Sequence, residues 1–149
     1  MDVNWQTDRN AVKDGGTYLI TELVNGKREV FFENSFDEEK KTFSCEYQIG
    51  DDNIVIAYAA FEDIKYNESK LHRTEPPDGD YYLIAVKNPD GSTSLKVDMF
   101  FQRSGNWGAF EKDEVAGWFD WPAPYEGPVI KEAQSKATFV PPETKKIYL

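Results

Sequence analysis

The tripeptide Tyr-Leu-Ile occurs twice, at Tyr18-Leu19-Ile20 and Tyr82-Leu83-Ile84, an offset of 64. The flanks match as well. "WQTDRNAVKDGGTYLI" (5–20) and "LHRTEPPDGDYYLIAV" (71–86) each carry an arginine and a turn-rich stretch with glycine before the apolar run. Further on, "VIAYAAFEDIKYN" (55–67) and "VAGWFDWPAPYEG" (115–127) place Tyr58 against Trp118, an offset of 60. One pattern used twice within 149 residues constrains the fold more than any single motif. A small sheet with one apolar face is not stable by itself, so each copy needs a partner and its twin is the nearest one.

Within each copy the apolar residues alternate, which predicts strands. "TYLITELV" and "KREVFFENSF" flank Asn25-Gly26, the strongest short hairpin signal, because both central residues of a type I′ turn need positive φ. "YYLIAVK" and "TSLKVDMFF" flank "NPDGS", where proline presets φ and Gly91 tolerates the left-handed position. "KTFSCEYQI", "NIVIAYAAF", "NWGAF" and "EVAGWF" read as the remaining strands. The expected fold is mainly β: two similar small antiparallel units, 1–66 and 67–127, packed as a sandwich or open barrel in one compact domain. Residues 128–149 are expected to add a short helix near Ile130–Ala137, opened by Pro128, and a proline-containing tail from Val140 to Leu149.

The aromatic fraction is 15%, and at roughly 150–250 Å² per buried ring the aromatics carry much of the core. Formal net charge is −10, divided as −7 over residues 1–70 and −3 over residues 71–149. Such a surface repels phosphate backbones and anionic lipid, so neither direct nucleic-acid binding nor membrane binding is expected. It suits a protein partner with a basic groove. The one cysteine, Cys45, excludes an intramolecular disulfide and falls in an alternating segment, as a small buried residue would. "MDVNWQTDRN" has no apolar stretch of the signal-peptide kind, and no apolar run reaches the ~18 residues of a membrane span. The expected location is the cytoplasm.

The two ends of the pattern resemble a family of small proteins of unknown function common in phage and prophage genomes. Trp5, Arg9, Gly16 and Tyr18-Leu19-Ile20 resemble its opening, and Trp118, Trp121, Pro122, Pro124 and Tyr125 its closing Trp-x-x-x-Pro-x-Pro. The resemblance covers roughly residues 5–126 as a diverged double version. Leu71 stands near the place of the second opening tryptophan, and Glu62 and Ile64 replace the first closing prolines. It implies a phage origin, a host-cell cytoplasmic location and a small β-rich fold, and no activity.

Chemistry is thinly supported. His72 is the only histidine, no nucleophile-elbow glycines accompany it, and no Cys-x-x-Cys, histidine pair or calcium-loop spacing occurs. No enzyme activity, metal or cofactor is therefore expected. The preferred reading is a binding protein that engages, and inhibits, a host protein, with a virion accessory protein as one alternative. The acidic residues Asp37, Glu38, Glu39, Asp51 and Asp52 are the candidate contact surface, expected from the net charge to imitate nucleic acid if spread over a rigid β surface. Trp118, Trp121 and Tyr125 form a candidate platform for proline-rich or sugar ligands. Against that, the indoles would cap the sheet while the prolines steer the chain away from it. The other alternative is a binder of a nucleotide signal, in which Arg9 and Arg73 hold phosphates; packing along each unit's first strand is the plainer use of both arginines.

Overall fold

A computed structural model describes residues 1–47 and 54–129 of the chain. Asp51, Asp52, the helix expected over 130–137 and the tail lie outside the described residues. The chain divides into two compact units. The first holds Asn4–Ala60 with Ala123–Leu149, and the second holds Met1–Val3 with Phe61–Pro122. The fold is mainly β, and all its sheets are antiparallel, as the alternation predicts.

In the first unit, β1 (Tyr18–Val24) pairs with β2 (Lys27–Glu33) across Asn25-Gly26. Asn25 has φ 50° and Gly26 φ 81°, the left-handed pair a type I′ turn demands. β3 (Phe36–Asp37) and β4 (Thr42–Phe43) make a separate short hairpin, and β5 (Ile54–Ala60) returns along β1, giving the sheet order β2-β1-β5. Phe36 and Phe43 close over Val12, Tyr18, Ile20, Val55 and Tyr58 to form a core cluster. On the other side, Tyr125 and Val129 pack against Ile54, Ile56 and Leu23. The returning chain is tied down there by the Tyr125 N–H donating to Thr21 Oγ1 at 3.0 Å. Arg28 Nη1 also donates to the carbonyls of Tyr125 and Gly127 at 2.6 and 2.8 Å.

Two expected strands are corrected here. "KREVFFENSF" breaks after Glu33, whose Oε1 accepts from the N–H groups of Asn34 and Ser35 and so turns the chain. Among the described residues of "KTFSCEYQI", Thr42–Phe43 are extended and Ser44–Tyr47 form a 3₁₀ turn. The reason is Glu46, which reaches back three residues to accept from the Phe43 N–H at 2.8 Å, one half of a capping box. Cys45 rides on that turn, partly buried against the core rather than fully inside it.

In the second unit, β6 (Asp80–Lys87) and β7 (Thr93–Phe101) form the long hairpin, closed by the Asn88 N–H donating to the Ser92 carbonyl at 2.8 Å, with Gly91 at φ 90°. β8 (Asn106–Trp107) extends the sheet beyond β7, and β9 (Val115–Phe119) pairs with β6. Leu83, Ile84 and Ala85 are fully buried at the centre of this sheet.

The two sheets match residue by residue where β1 meets β5 and β6 meets β9. Ile20 faces Tyr58 as Ile84 faces Trp118, and Thr21 faces Ala57 as Ala85 faces Gly117. Both registers then slip by one residue at the next position, leaving Ile56 and Ala116 as the bulged residues. Outside the return strand, Gln6 bridges Tyr58 as His72 bridges Trp118.

Candidate functional site

The buried charges of the first unit are spent on the fold. Arg9 is 4% exposed. Its Nη1 and Nη2 donate to the two oxygens of Glu46 at 2.7 and 2.5 Å and to the carbonyls of Lys41 and Val55 at 2.8 and 2.6 Å. The remaining capacity of Glu46 goes to the N–H groups of Phe43 and Val55. Each charge is paired and hydrogen-bonded, the only way a buried ion pair is tolerated. Arg73, by contrast, is exposed and donates one 3.3 Å hydrogen bond to the Ala116 carbonyl. Because Gln6 and His72 hold equivalent places, Thr7 and not Arg9 stands where Arg73 does.

Cys45 is enclosed by carboxylates. Burial first, then the charges of Glu22, Glu46 and Glu33, push its thiol well above the usual range, which removes the thiolate a nucleophile needs. Glu22 is pushed up as well, chiefly by burial, with Glu46, Glu33 and the cross-strand Glu29 adding to the shift and a hydrogen bond from Cys45 opposing it. Among the described residues no group of three His, Cys, Asp or Glu is placed to hold a metal ion.

Of the acidic residues expected at a contact surface, Asp37, Glu38 and Glu39 sit on the β3–β4 turn. Asp37 Oδ1 accepts from the N–H groups of Glu39 and Lys40, both at 3.0 Å, which fixes the turn. Glu38 accepts from the Asp14 N–H at 3.2 Å, and Glu39 is exposed. The expected aromatic platform divides between the units: Trp118 and Trp121 belong to the second and Tyr125 to the first. Tyr125 packs on its own sheet, with the Arg28 guanidinium 5.7 Å from its ring centre.

What the second unit assembles instead is a ladder of rings on one face of its sheet. Strand register puts Tyr82, Ile84, Phe100, Trp107 and Trp118 on that face. Tyr82 meets Trp107 edge-on at 6.2 Å and 90°, and Trp118 at 5.1 Å and 63°. Phe100 backs Trp107 at 5.0 Å, and the His72 ring covers Trp118 at 4.1 Å and 30°. His72 Nε2 lies 3.1 Å from Asp120 Oδ2, an exposed contact. The Trp118 indole N–H is taken by the Thr74 carbonyl at 2.9 Å. That of Trp107 has no acceptor among the described residues. Tyr82, Trp107, Trp118 and His72 are all half-buried.

The loop that carries Trp107 is anchored by Asp98. Its buried carboxylate accepts from the N–H groups of Met99, Ala109 and Phe110 at 2.8–3.2 Å. Sequence reasoning missed Tyr82, Trp107 and Asp98. The available signal was register: Phe100 and Trp107 face each other across "FFQRSGNW", and a carboxylate in "KVDMF" falls on the face that carries the rings.

No family model, curated protein or solved structure matches the chain. Among the described residues no helix is long and apolar enough to cross a membrane.

Proposed function

We propose that this chain is a phage-encoded, non-catalytic protein that binds a protein of the bacterial host and inhibits it. The observation carrying the reading is the half-buried ring ladder of the second unit. Rings that are apolar, rigid and partly open are what protein interfaces enrich at their centres. Three enclosed groups that chemistry could otherwise use are engaged in the fold: Arg9 with Glu46, Asp98 with three backbone N–H groups, and the Cys45 thiol held protonated. The acid excess, with the fixed turn bearing Glu38 and Glu39, suits a partner of opposite charge and would speed encounter rather than set affinity. Phage origin rests on the opening and closing motifs. Capture from host lysate by the tagged full-length chain at low and high salt tests this. One stoichiometric partner is expected, held less well at high salt and after the double change Glu38→Lys and Glu39→Lys. Capture of nothing at either salt would reject the reading.

A further inference from the structure

The ring ladder has a shape and a chemistry that narrow its ligand. From the geometry we infer that the Trp107–Tyr82–Trp118 face docks a cationic, proline-containing segment of a partner protein in extended polyproline conformation. This deepens the protein-binding reading above and rests on it.

Three observations carry the inference. The rings meet edge to face, at 90° and 63°, so together they present a ridged face rather than a flat platform. Ridged, aromatic-lined faces are what proline-rich segments dock on, whereas sugars stack on open faces, and one face of Trp118 is already covered by His72. The second observation is the Trp107 indole N–H, without an acceptor among the described residues while its neighbour's is bonded to Thr74. A polyproline strand keeps its carbonyls unpaired and needs such donors. Charge is the third. Asp80 shares the ring face, Asp78 lies beside Tyr82, whose hydroxyl donates to the Asp78 carbonyl, and Asp120 lies beside His72. Lys96 shares the face, Arg73 follows His72, and Lys112 beside Gly105 is paired with Glu75 at 3.4 Å, while the unit as a whole carries 13 acidic against 7 basic residues, a net of −6. A nucleic acid would be repelled and a lysine- or arginine-bearing peptide attracted.

The test is a titration of the full-length chain with a synthetic peptide of repeating Lys-Pro-Pro, read by the indole N–H resonances of Trp107 and Trp118 and by tryptophan fluorescence. Saturable movement of the Trp107 resonance is expected. Trp107→Phe, which keeps a ring and removes the donor, should weaken binding about three- to tenfold. Asp78→Asn and Asp80→Asn together should weaken it about two- to fivefold and lower its salt dependence. The inference fails if peptide up to about 1 mM leaves Trp107 unmoved, or if the same peptide with glutamate for lysine binds as well. It also fails if a neutral glucan oligosaccharide moves the rings and the peptide does not. Movement of the Trp107 resonance in the unliganded chain on changing Lys145→Glu and Lys146→Glu would overturn the partner as occupant, in favour of the chain's own "FVPPETKKIYL". A lysate partner whose capture is indifferent to Trp107→Phe and Tyr82→Leu would keep the protein-binding reading and discard this face.

Discussion

Tyr18 meets Tyr58 edge-on in the first unit at 5.8 Å and 84°, and Tyr82 meets Trp118 in the second at 5.1 Å and 63°. The strand positions are equivalent, yet Tyr18 and Tyr58 are 7% and 5% exposed while Tyr82 and Trp118 are half open. The difference lies in the connection before the return strand. In the first unit residues 34–53 separate β2 from β5, long enough to fold a hairpin over the rings and set Phe36 and Phe43 on them. In the second, residues 102–114 separate β7 from β9, and they add β8 at the sheet edge instead. A cover built from the chain's own aromatics makes a core. The same face without that cover is a surface on which another molecule can bury apolar area.

The largest effect should come from opening the first unit's cover. Arg9→Ala leaves Glu46 buried and unpaired, and is expected to cost about 3–5 kcal/mol in urea unfolding followed by circular dichroism. A loss below about 1 kcal/mol would mean that the cover does not depend on the pair.

Next comes Gly117→Ala, which probes the point where the sheets diverge. Its counterpart Ala57 already carries a Cβ. A Cβ at 117 would lie 2.6 Å from the His72 carbonyl oxygen, a backbone atom. A cost of about 1–3 kcal/mol is expected, with the His72 ring leaving Trp118. An unshifted Trp118 resonance would show that the bridge adjusts without releasing the ring.

A smaller effect is expected from pH. The Glu22 carboxyl is raised in the folded state, so the native protein binds more protons than the unfolded chain wherever the two differ. Its contribution is present in full below the unfolded value near 4.5 and is lost as pH rises through the folded one. Across that window the stability difference between the wild type and Glu22→Gln, read from unfolding midpoints, should shift against the wild type as pH rises. Parallel profiles would remove Glu22 as the cause.

Arg73→Ala should have the least effect, within ~0.5 kcal/mol, because its single long hydrogen bond is exposed to water. Set beside Arg9→Ala, it measures how differently the two arginines are used.

The sequence was legible where structure depends on neighbouring residues. The Asn25-Gly26 turn, the "NPDGS" turn and the alternating strands on either side follow from local φ preferences and period two, and all are present. "KTFSCEYQI" misled because its alternation is overridden by Glu46, a residue held by an arginine 37 positions earlier. The ring ladder was half legible. Trp118 stood out in a motif, but Tyr82 and Trp107 become its neighbours only through pairing of β6 with β7 and β9, and of β7 with β8. The motif's Tyr125 belongs to the other unit.

The residues alone determined a β-rich chain with two Tyr-Leu-Ile strands, its hairpin turns and its acidic balance, since each of these depends on chain-local sterics or on simple composition. Tertiary structure decided which equivalent face is buried and which stays open, which arginine disappears into an ion pair, and which backbone carbonyl takes the Trp118 indole N–H. Those outcomes depend on contacts between residues far apart in sequence, whose cost in loop closure and desolvation no local pattern records.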